Sequence, residues 1–269
     1  MKLSISLCTL AVFLAAQPVN AQHRLDTPVK AEVLEGWTNA DGSRTAALKL
    51  DLAPGWKTYW RAPGDAGIPP QFDWSGSRNF DNVSISWPAP IIFEENGMRS
   101  VGYKDTLVIP LRIQPGNENE PVRLVAQMDL GVCADICVPY ALSFDAELIN
   151  ESRKPTPAIA AALAQLPYTE DEARVRGATC LIAPTSDGLQ IEARVEMPSA
   201  GGPEHAVIEL GGQDIWVSEA KTTRYGMELV AVSDLVSVSG GPISLDRSAV
   251  RITVLGSDYA VDVQGCTSG

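Results

Sequence analysis

Two cysteines with three residues between them stand in Gly131-Val132-Cys133-Ala134-Asp135-Ile136-Cys137-Val138-Pro139. Sulfur pairs this close carry one kind of chemistry well: reversible exchange of a disulfide with the thiols of another molecule. The spacing restricts geometry. A flat strand would hold positions i and i+4 about 13 Å apart, at about 3.3 Å per residue. A disulfide needs its Cα atoms within about 7 Å. For Cys133 and Cys137 to pair, the chain must reverse or coil between them, and a hairpin tipped by Ala134-Asp135-Ile136 does so. Tips of three residues usually want φ > 0 at their end, which β-branched Ile136 disfavours. A bridge over such a tip is expected to be strained, and strained or exposed bridges are the reducible ones. The pair therefore reads as a working redox pair and not a staple. Exchange proceeds by thiolate attack through a mixed disulfide, so one sulfur must be accessible and its thiolate stabilised. The spacing leaves open which one. Asp135 between them raises the thiolate pKa, which suits a pair activated by docking.

The N-terminus sets the compartment. Lys2 is followed by an apolar run from Leu3 to Ala16 and then by Val19-Asn20-Ala21, a small-x-small cleavage site. Residues 1–21 read as a secretory signal peptide that is lost with Cys8, leaving Gln22 first. The run is shorter than the about 20 residues of a membrane span, and no later stretch is long enough, so no stable membrane insertion is expected. The reading is an exported protein of the Gram-negative periplasm. Loss of Lys2 and of no acid takes the net charge from −12 to −13. That balance argues against nucleic acid and anionic membrane surfaces. The remaining cysteines are Cys133, Cys137, Cys180 and Cys266. They allow three pairings, and spacing favours Cys133–Cys137 with Cys180–Cys266.

The elements that must position these residues read as strands. Thr45–Leu52, Val83–Trp87, Thr106–Ile113, Val122–Leu130 and Tyr140–Ile149 are short apolar or alternating runs. Turn-rich stretches such as Ala62-Pro63-Gly64-Asp65-Ala66-Gly67 and Gln114-Pro115-Gly116-Asn117 separate them. This pattern predicts a β-sandwich over residues 22–150. Five of the six tryptophans, Trp37 to Trp87, read as its core. A linker over residues 151–177 holds one short helix, with Thr156 as cap, Pro157 at the first helical position, Ile159, Leu163 and Leu166 on one face and Pro167 as the stop. Strands resume in Gly188–Val195, Glu204–Leu210, Met227–Val236, Val250–Leu255 and Tyr259–Val263, giving a second, smaller sandwich over residues 178–269. A Cys180–Cys266 bridge would tie the start of that half to its end. In the chain-entropy model such a loop is worth about 4–5 kcal/mol, a structural role.

Several motifs carry a family resemblance. They are Gly55-Trp56-Lys57-Thr58-Tyr59-Trp60, Pro63-Gly64-Asp65-Ala66-Gly67-Ile68-Pro69-Pro70, Trp87-Pro88-Ala89-Pro90, Phe93-Glu94-Glu95-Asn96-Gly97, Gly102-Tyr103 and the run from Val132 to Pro139. Together and in order, they resemble the N-terminal periplasmic domain of the thiol:disulfide interchange protein DsbD and its ScsB-like relatives, over roughly residues 30–150. The second half resembles the family only loosely. The resemblance implies an immunoglobulin-like sandwich carrying the redox pair in the first half; with the second sandwich read from its strands, the expected fold is an all-β chain of two immunoglobulin-like β-sandwich domains joined by a short helical linker. The resemblance also implies a thiol:disulfide oxidoreductase without a cofactor, of protein-disulfide reductase type. Such a protein takes electrons from a thioredoxin-like or membrane thiol-transport protein and passes them to periplasmic thiol proteins.

The same resemblance makes Cys137 the sulfur that meets the partner and Phe93 to Gly97 a cap that shields the pair. Glu94 and Glu95 then tune the thiolate or accept protons; a solvated charged turn is the plainer reading. Tyr59 and Tyr103 either pack beside the pair or serve as core. The chain departs from full-length DsbD in showing no transmembrane segment and no thioredoxin-like domain, so its electron source is expected to be another polypeptide. Its close cysteine spacing is more like the ScsB branch, which is associated with copper tolerance.

Two other classes stay open at this point. Met128, Cys133 and Cys137 are soft ligands that suit Cu(I), with His23 as a further candidate. Against a copper module stand the two histidines and the absence of a Met-rich or His-rich tract. Anaerobic Cu(I) titration of the reduced protein separates the readings. The other rival is a non-catalytic interaction sandwich whose disulfides are all structural, which a reduction potential well below about −300 mV would favour.

Overall fold

The computed structural model describes residues 27–64, 67–95, 97–149, 152–211 and 214–269. The expected signal peptide at 1–21, with His23, Asp65, Ala66 and Asn96, lies outside the described residues. In the first half the strands are β1 (Val29–Thr38), β2 (Arg44–Leu52), β3 (Lys57–Tyr59), β4 (Gln71–Asp73), β5 (Asn82–Ile85), β6 (Ile91–Glu95), β7 (Met98–Lys104), β8 (Thr106–Gln114), β9 (Val122–Cys133) and β10 (Cys137–Leu148). They form two antiparallel sheets, ordered β1-β2-β8-β5 and β10-β9-β3-β7-β6, with β4 on β9. This is an all-β, immunoglobulin-like sandwich.

The strand β9 shows why. Val122, Leu124, Ala126, Met128, Leu130 and Val132 are buried at every second position, the period a half-buried strand requires. They meet Leu48, Leu50, Ile109, Leu111 and Trp60 in one core. The alternation ends at Gly131, after which both faces of β9 are covered. The β9–β10 ladder runs unbroken from Val122↔Leu148 to Cys133↔Cys137, so the reversal falls between the two cysteines. Its tip corrects one expectation. None of Ala134, Asp135 and Ile136 has φ > 0. The amide of Ala134 instead donates to the Ile136 carbonyl at 3.1 Å, so Ile136 carries no left-handed strain.

The helix α1 (Pro157–Leu163) follows. It buries Ile159 and Ala162 and packs on β8. Thr156 does not cap it with its side chain. A register shift in β1 between Glu35 and Trp37 leaves the Glu35 carbonyl to accept the Thr156 hydroxyl at 2.9 Å.

The second half comprises β11 (Gly177–Pro184), β12 (Leu189–Glu196), β13 (His205–Glu209), β14 (Ile215–Val217), β15 (Lys221–Tyr225), β16 (Glu228–Ser237), β17 (Arg251–Leu255), β18 (Ala260–Gln264) and β19 (Thr267–Ser268). One sheet runs β14-β16-β12-β11-β19 with β15 on β16, and the other β13-β17-β18. Their shared core includes Ile191, Val195, Leu229, Leu235, Ile252 and Val261. Cys180 of β11 is bonded to Cys266, between β18 and β19, with Cα atoms 5.7 Å apart. The halves touch: Leu255 and Ala260 join the first core, and the Arg61 guanidinium donates to both Glu209 carboxylate oxygens at 3.0 and 2.9 Å.

Candidate redox site

Cys133 and Cys137 are bonded across the end of the β9–β10 hairpin, with Cα atoms 4.1 Å apart. They differ sharply in access. Cys133 is fully buried and Cys137 is exposed. The difference follows from strand order. Cys137 opens β10 at the sheet edge, whereas Cys133 ends β9 with β3 on its other side.

Register places a row of four side chains on one face of the sheet. Cys137 lies opposite Cys133, Cys133 opposite Lys57, and Lys57 opposite Lys104. Residues directly opposite share a face, and Tyr59, two positions along β3, shares it too. The Tyr59 hydroxyl lies 2.8 Å from Cys133 Sγ and 3.2 Å from Cys137 Sγ. Tyr59 is buried, and its ring passes over Gly131, where a Cβ would come within 2.8 Å of it. The Thr58 hydroxyl donates to the Gly131 carbonyl at 2.8 Å, tying β3 to β9 beside the bridge.

The structure does not bring Tyr103 to the pair. Tyr103 pairs with Thr58 in the adjacent row and so faces the core. There it stacks on Trp87, ring centroids 6.4 Å apart, and donates its hydroxyl to the Pro88 carbonyl at 2.7 Å. Burial pushes its phenol well above the usual tyrosine range. Strand alternation likewise removes Met128 from the cysteines. Five residues before Cys133 on an unbroken strand, it points to the opposite face and is buried in the core against its β4 partner Phe72. The proposed Met128, Cys133, Cys137 copper set is therefore not assembled.

The segment read as a cap loop is part of a β-hairpin, β6–β7, turning through Gly97 at φ 78°. Phe93 is half-buried, and its ring lies over the Lys57 ammonium, 4.8 Å from Nζ to centroid. It therefore stands on the residue next to Cys133 in the row. Glu94 is exposed and pairs with Arg99 at 3.4 Å. Arg99 also pairs with Glu219 of the second half. Glu95 is placed only by its backbone, opposite Met98. Asp135 sits exposed at the hairpin tip.

Lys57 was part of a motif without an assigned role; it is buried beside the bridge at 7% exposure. A cleft of about 570 Å³ between the halves, lined in part by Arg61, Arg99 and His205, contains neither cysteine. Of the two cysteines, Cys137 is the exposed residue.

Residues 27–147 match the family model described as thiol:disulfide interchange protein DsbD, N-terminal. No curated protein matches the chain. Among solved structures, the N-terminal periplasmic domain of ScsB from Proteus mirabilis is similar, with a TM-score of 0.66 and 20% sequence identity. The match covers 95% of this chain and 97% of that one, so the fold likeness extends over both sandwiches.

Proposed function

We propose that the protein exchanges thiols and disulfides in the periplasm through Cys133 and Cys137, a reading supported by the likeness of residues 27–147 to the N-terminal domain of DsbD. It relays electrons from a thioredoxin-like or membrane thiol-transport protein to periplasmic thiol proteins. The observation that carries this reading is the asymmetry of the pair: Cys137 is exposed and Cys133 is fully buried. Among the described residues no helix is long and apolar enough to cross a membrane.

The chemistry balances on sulfur alone. A donor thiolate attacks Cys137 Sγ. The Cys133–Cys137 bond breaks, and Cys133 leaves with the electron pair as a thiolate. The Tyr59 hydroxyl, 2.8 Å away, is placed to donate to it. A second donor thiol then displaces Cys137, completing a two-electron transfer. In the delivering half-reaction the Cys137 thiolate attacks an acceptor disulfide, and Cys133 resolves the mixed disulfide. In this reading Phe93 and the β6–β7 hairpin shield the pair, and Cys180–Cys266 is structural.

Trapping tests it. Cys133→Ser removes the resolving thiol and should accumulate mixed disulfides on non-reducing gels of periplasmic extract, whereas Cys137→Ser should not. Equal trapping by both would remove the assigned order of attack. Trapping by neither would overturn the exchange reading.

A further inference from the structure

Resting on the reading in which the β6–β7 hairpin shields the redox pair, we propose that Glu219 of the second sandwich is a positioning residue for the site: through Arg99 it holds that hairpin in its shielding position. Cross-strand register gives the hairpin two distinct faces. Phe93 lies opposite Ser100, and Glu94 opposite Arg99. Successive residues of a strand point to opposite sides, so Phe93 is presented on the face that carries the sulfurs, and Glu94 and Arg99 on the reverse. Phe93 lies over Lys57. The reverse face meets the second half, where Arg99 pairs with Glu219 in the segment between β14 and β15. The ring and the ion pair thus hold the same end of the hairpin from its two sides.

The space behind the hairpin is what makes this pair matter. A cleft of about 570 Å³ opens there, lined by Ile92, Arg99 and Val101 on one side and by His205, Val217 and Glu219 on the other. Close packing is missing across such a gap, and β6 is the last strand of its sheet. Edge elements with few buried contacts open at low free-energy cost, so an ion pair that spans the cleft carries much of the hold. Arg99 and Glu219 are 28% and 35% exposed, against 68% for Glu94, so the pair with the second half is the less screened of the two. The Arg99 Nε is buried with no hydrogen-bond partner among the described residues, which leaves the guanidinium dependent on its two carboxylates.

His205 also faces this junction, with Arg99, Glu219 and Glu94 acting on it. Burial first, and then the Arg99 charge, hold its imidazole below the usual histidine range. A neutral His205 leaves the Glu219 carboxylate to Arg99. A second grip lines the same cleft. The Arg61 guanidinium, which binds both Glu209 oxygens, also donates to the Thr253 hydroxyl at 3.1 Å and lies over the Trp60 ring, 4.0 Å from its centroid. This second grip holds the chain just after β3, so loss of Glu219 frees the hairpin without detaching the second half. The second sandwich thereby takes part in the reaction although it carries neither redox cysteine.

The test uses the full chain with Cys133–Cys137 reduced and Cys180–Cys266 left oxidised. Two rates are read: alkylation of the pair by iodoacetamide, which is uncharged, and hydrogen exchange of the β7 amides. Glu219→Gln should raise both about two- to fivefold, the range a part-exposed ion pair supports, with melting temperature nearly unchanged. In an Arg99→Met background Glu219→Gln should add nothing, because residues in contact act non-additively. Glu196→Gln makes the same charge change at the Arg176–Glu196 pair and should leave both rates at wild type. Unchanged alkylation in Glu219→Gln overturns the proposal, whatever the exchange rates do. So does an equal acceleration in the Arg99→Met background, which would mean that Glu219 does not act through Arg99. Phe93→Ala is scored beside them. If it speeds alkylation while Glu219→Gln does not, the shield stands and the role of Glu219 falls. If neither does, shielding by the hairpin falls as well. Mixed-disulfide trapping by Cys133→Ser, measured separately, reports on exchange alone.

Discussion

The ring of Tyr59 occupies the space that a side chain at residue 131 would need: a Cβ on Gly131 would meet ring atoms Cδ2 and Cε2 at 2.8 and 2.9 Å, and Ile68 Cβ at 2.8 Å. Glycine at this position is therefore a packing requirement of the sulfur site. Gly131→Ala must displace the ring, the loop residue Ile68, or β9 itself. Overpacking of this kind costs about 1–3 kcal/mol. Urea denaturation of the oxidised protein should show that loss. The Tyr59 hydroxyl should also leave the sulfurs, so alkylation of the reduced pair should change together with stability. Wild-type stability and wild-type alkylation kinetics would show that the ring can be moved without consequence.

Tyr59→Phe keeps that ring and removes only the hydroxyl. Hydrogen bonds to charged groups are worth about 1.5–3 kcal/mol, so a Cys133 thiolate deprived of its donor should form about tenfold less readily or worse. The reduced state loses a stabilising contact that its thiolate would enjoy, and the reduction potential should become more negative. Equilibration with glutathione buffers of known ratio measures it. The oxidised fold should change little, because the buried surface is nearly conserved. An unchanged potential would mean that the hydroxyl only fills space.

Legibility in the sequence followed strand length and locality. The strands β2, β8, β9, β12 and β16 carry eight or more residues of apolar pattern, and each was readable. The run Val29–Thr38 was missed although Val29, Ala31 and Val33 alternate, because its period breaks at the Glu35/Trp37 shift. There, a Cβ on Gly36 would meet the Thr45 carbonyl at 2.3 Å. The three-residue strand β3 has no period to detect. The strand β7 is interrupted by Gly102, a residue that normally weakens strands. Here it allows close approach, since a Cβ would come within 2.0 Å of the Thr58 carbonyl. The cysteine pair was legible because its spacing is local. Lys57 was not, because its place beside Cys133 depends on the pairing of β3 with β9. The Tyr59–Cys133 contact spans 74 residues for the same reason. For Tyr103, whose motif leaves core and pair-side placement open, and for Met128 of the alternative copper set, strand parity decides: both lie on the face opposite the sulfurs.

The two disulfides should separate under mild reduction. Cys137 is exposed, whereas Cys180 is fully buried and Cys266 is half-buried in the second core. The second bridge also closes a separation of 86 residues, a loop worth about 4–5 kcal/mol in the chain-entropy model. Limited dithiothreitol followed by alkylation and mass spectrometry should label Cys133 and Cys137 first. Label appearing first on Cys180 or Cys266 would reverse the division of roles. The paired substitution Cys180→Ala with Cys266→Ala should cost about 2–5 kcal/mol, read as a fall in melting temperature with the first-half pair still reducible.

Phe93→Ala tests whether the β6–β7 hairpin is a shield. The ring is half-buried on an edge hairpin and is stacked over Lys57 rather than sunk in the sandwich core. Its removal opens the face that carries the sulfurs and forfeits a cation–π contact worth about 0.5–2 kcal/mol. A small alkylating reagent should then react several-fold faster with the reduced pair, because local opening of an edge element costs little free energy. Melting temperature should fall only modestly. A phenylalanine acting as ordinary core would behave in the opposite way, losing about 3–5 kcal/mol on truncation with no selective gain at the thiols. Both quantities can be measured on one variant. A large loss of stability with unchanged alkylation kinetics would assign Phe93 to packing and leave the pair without its shield.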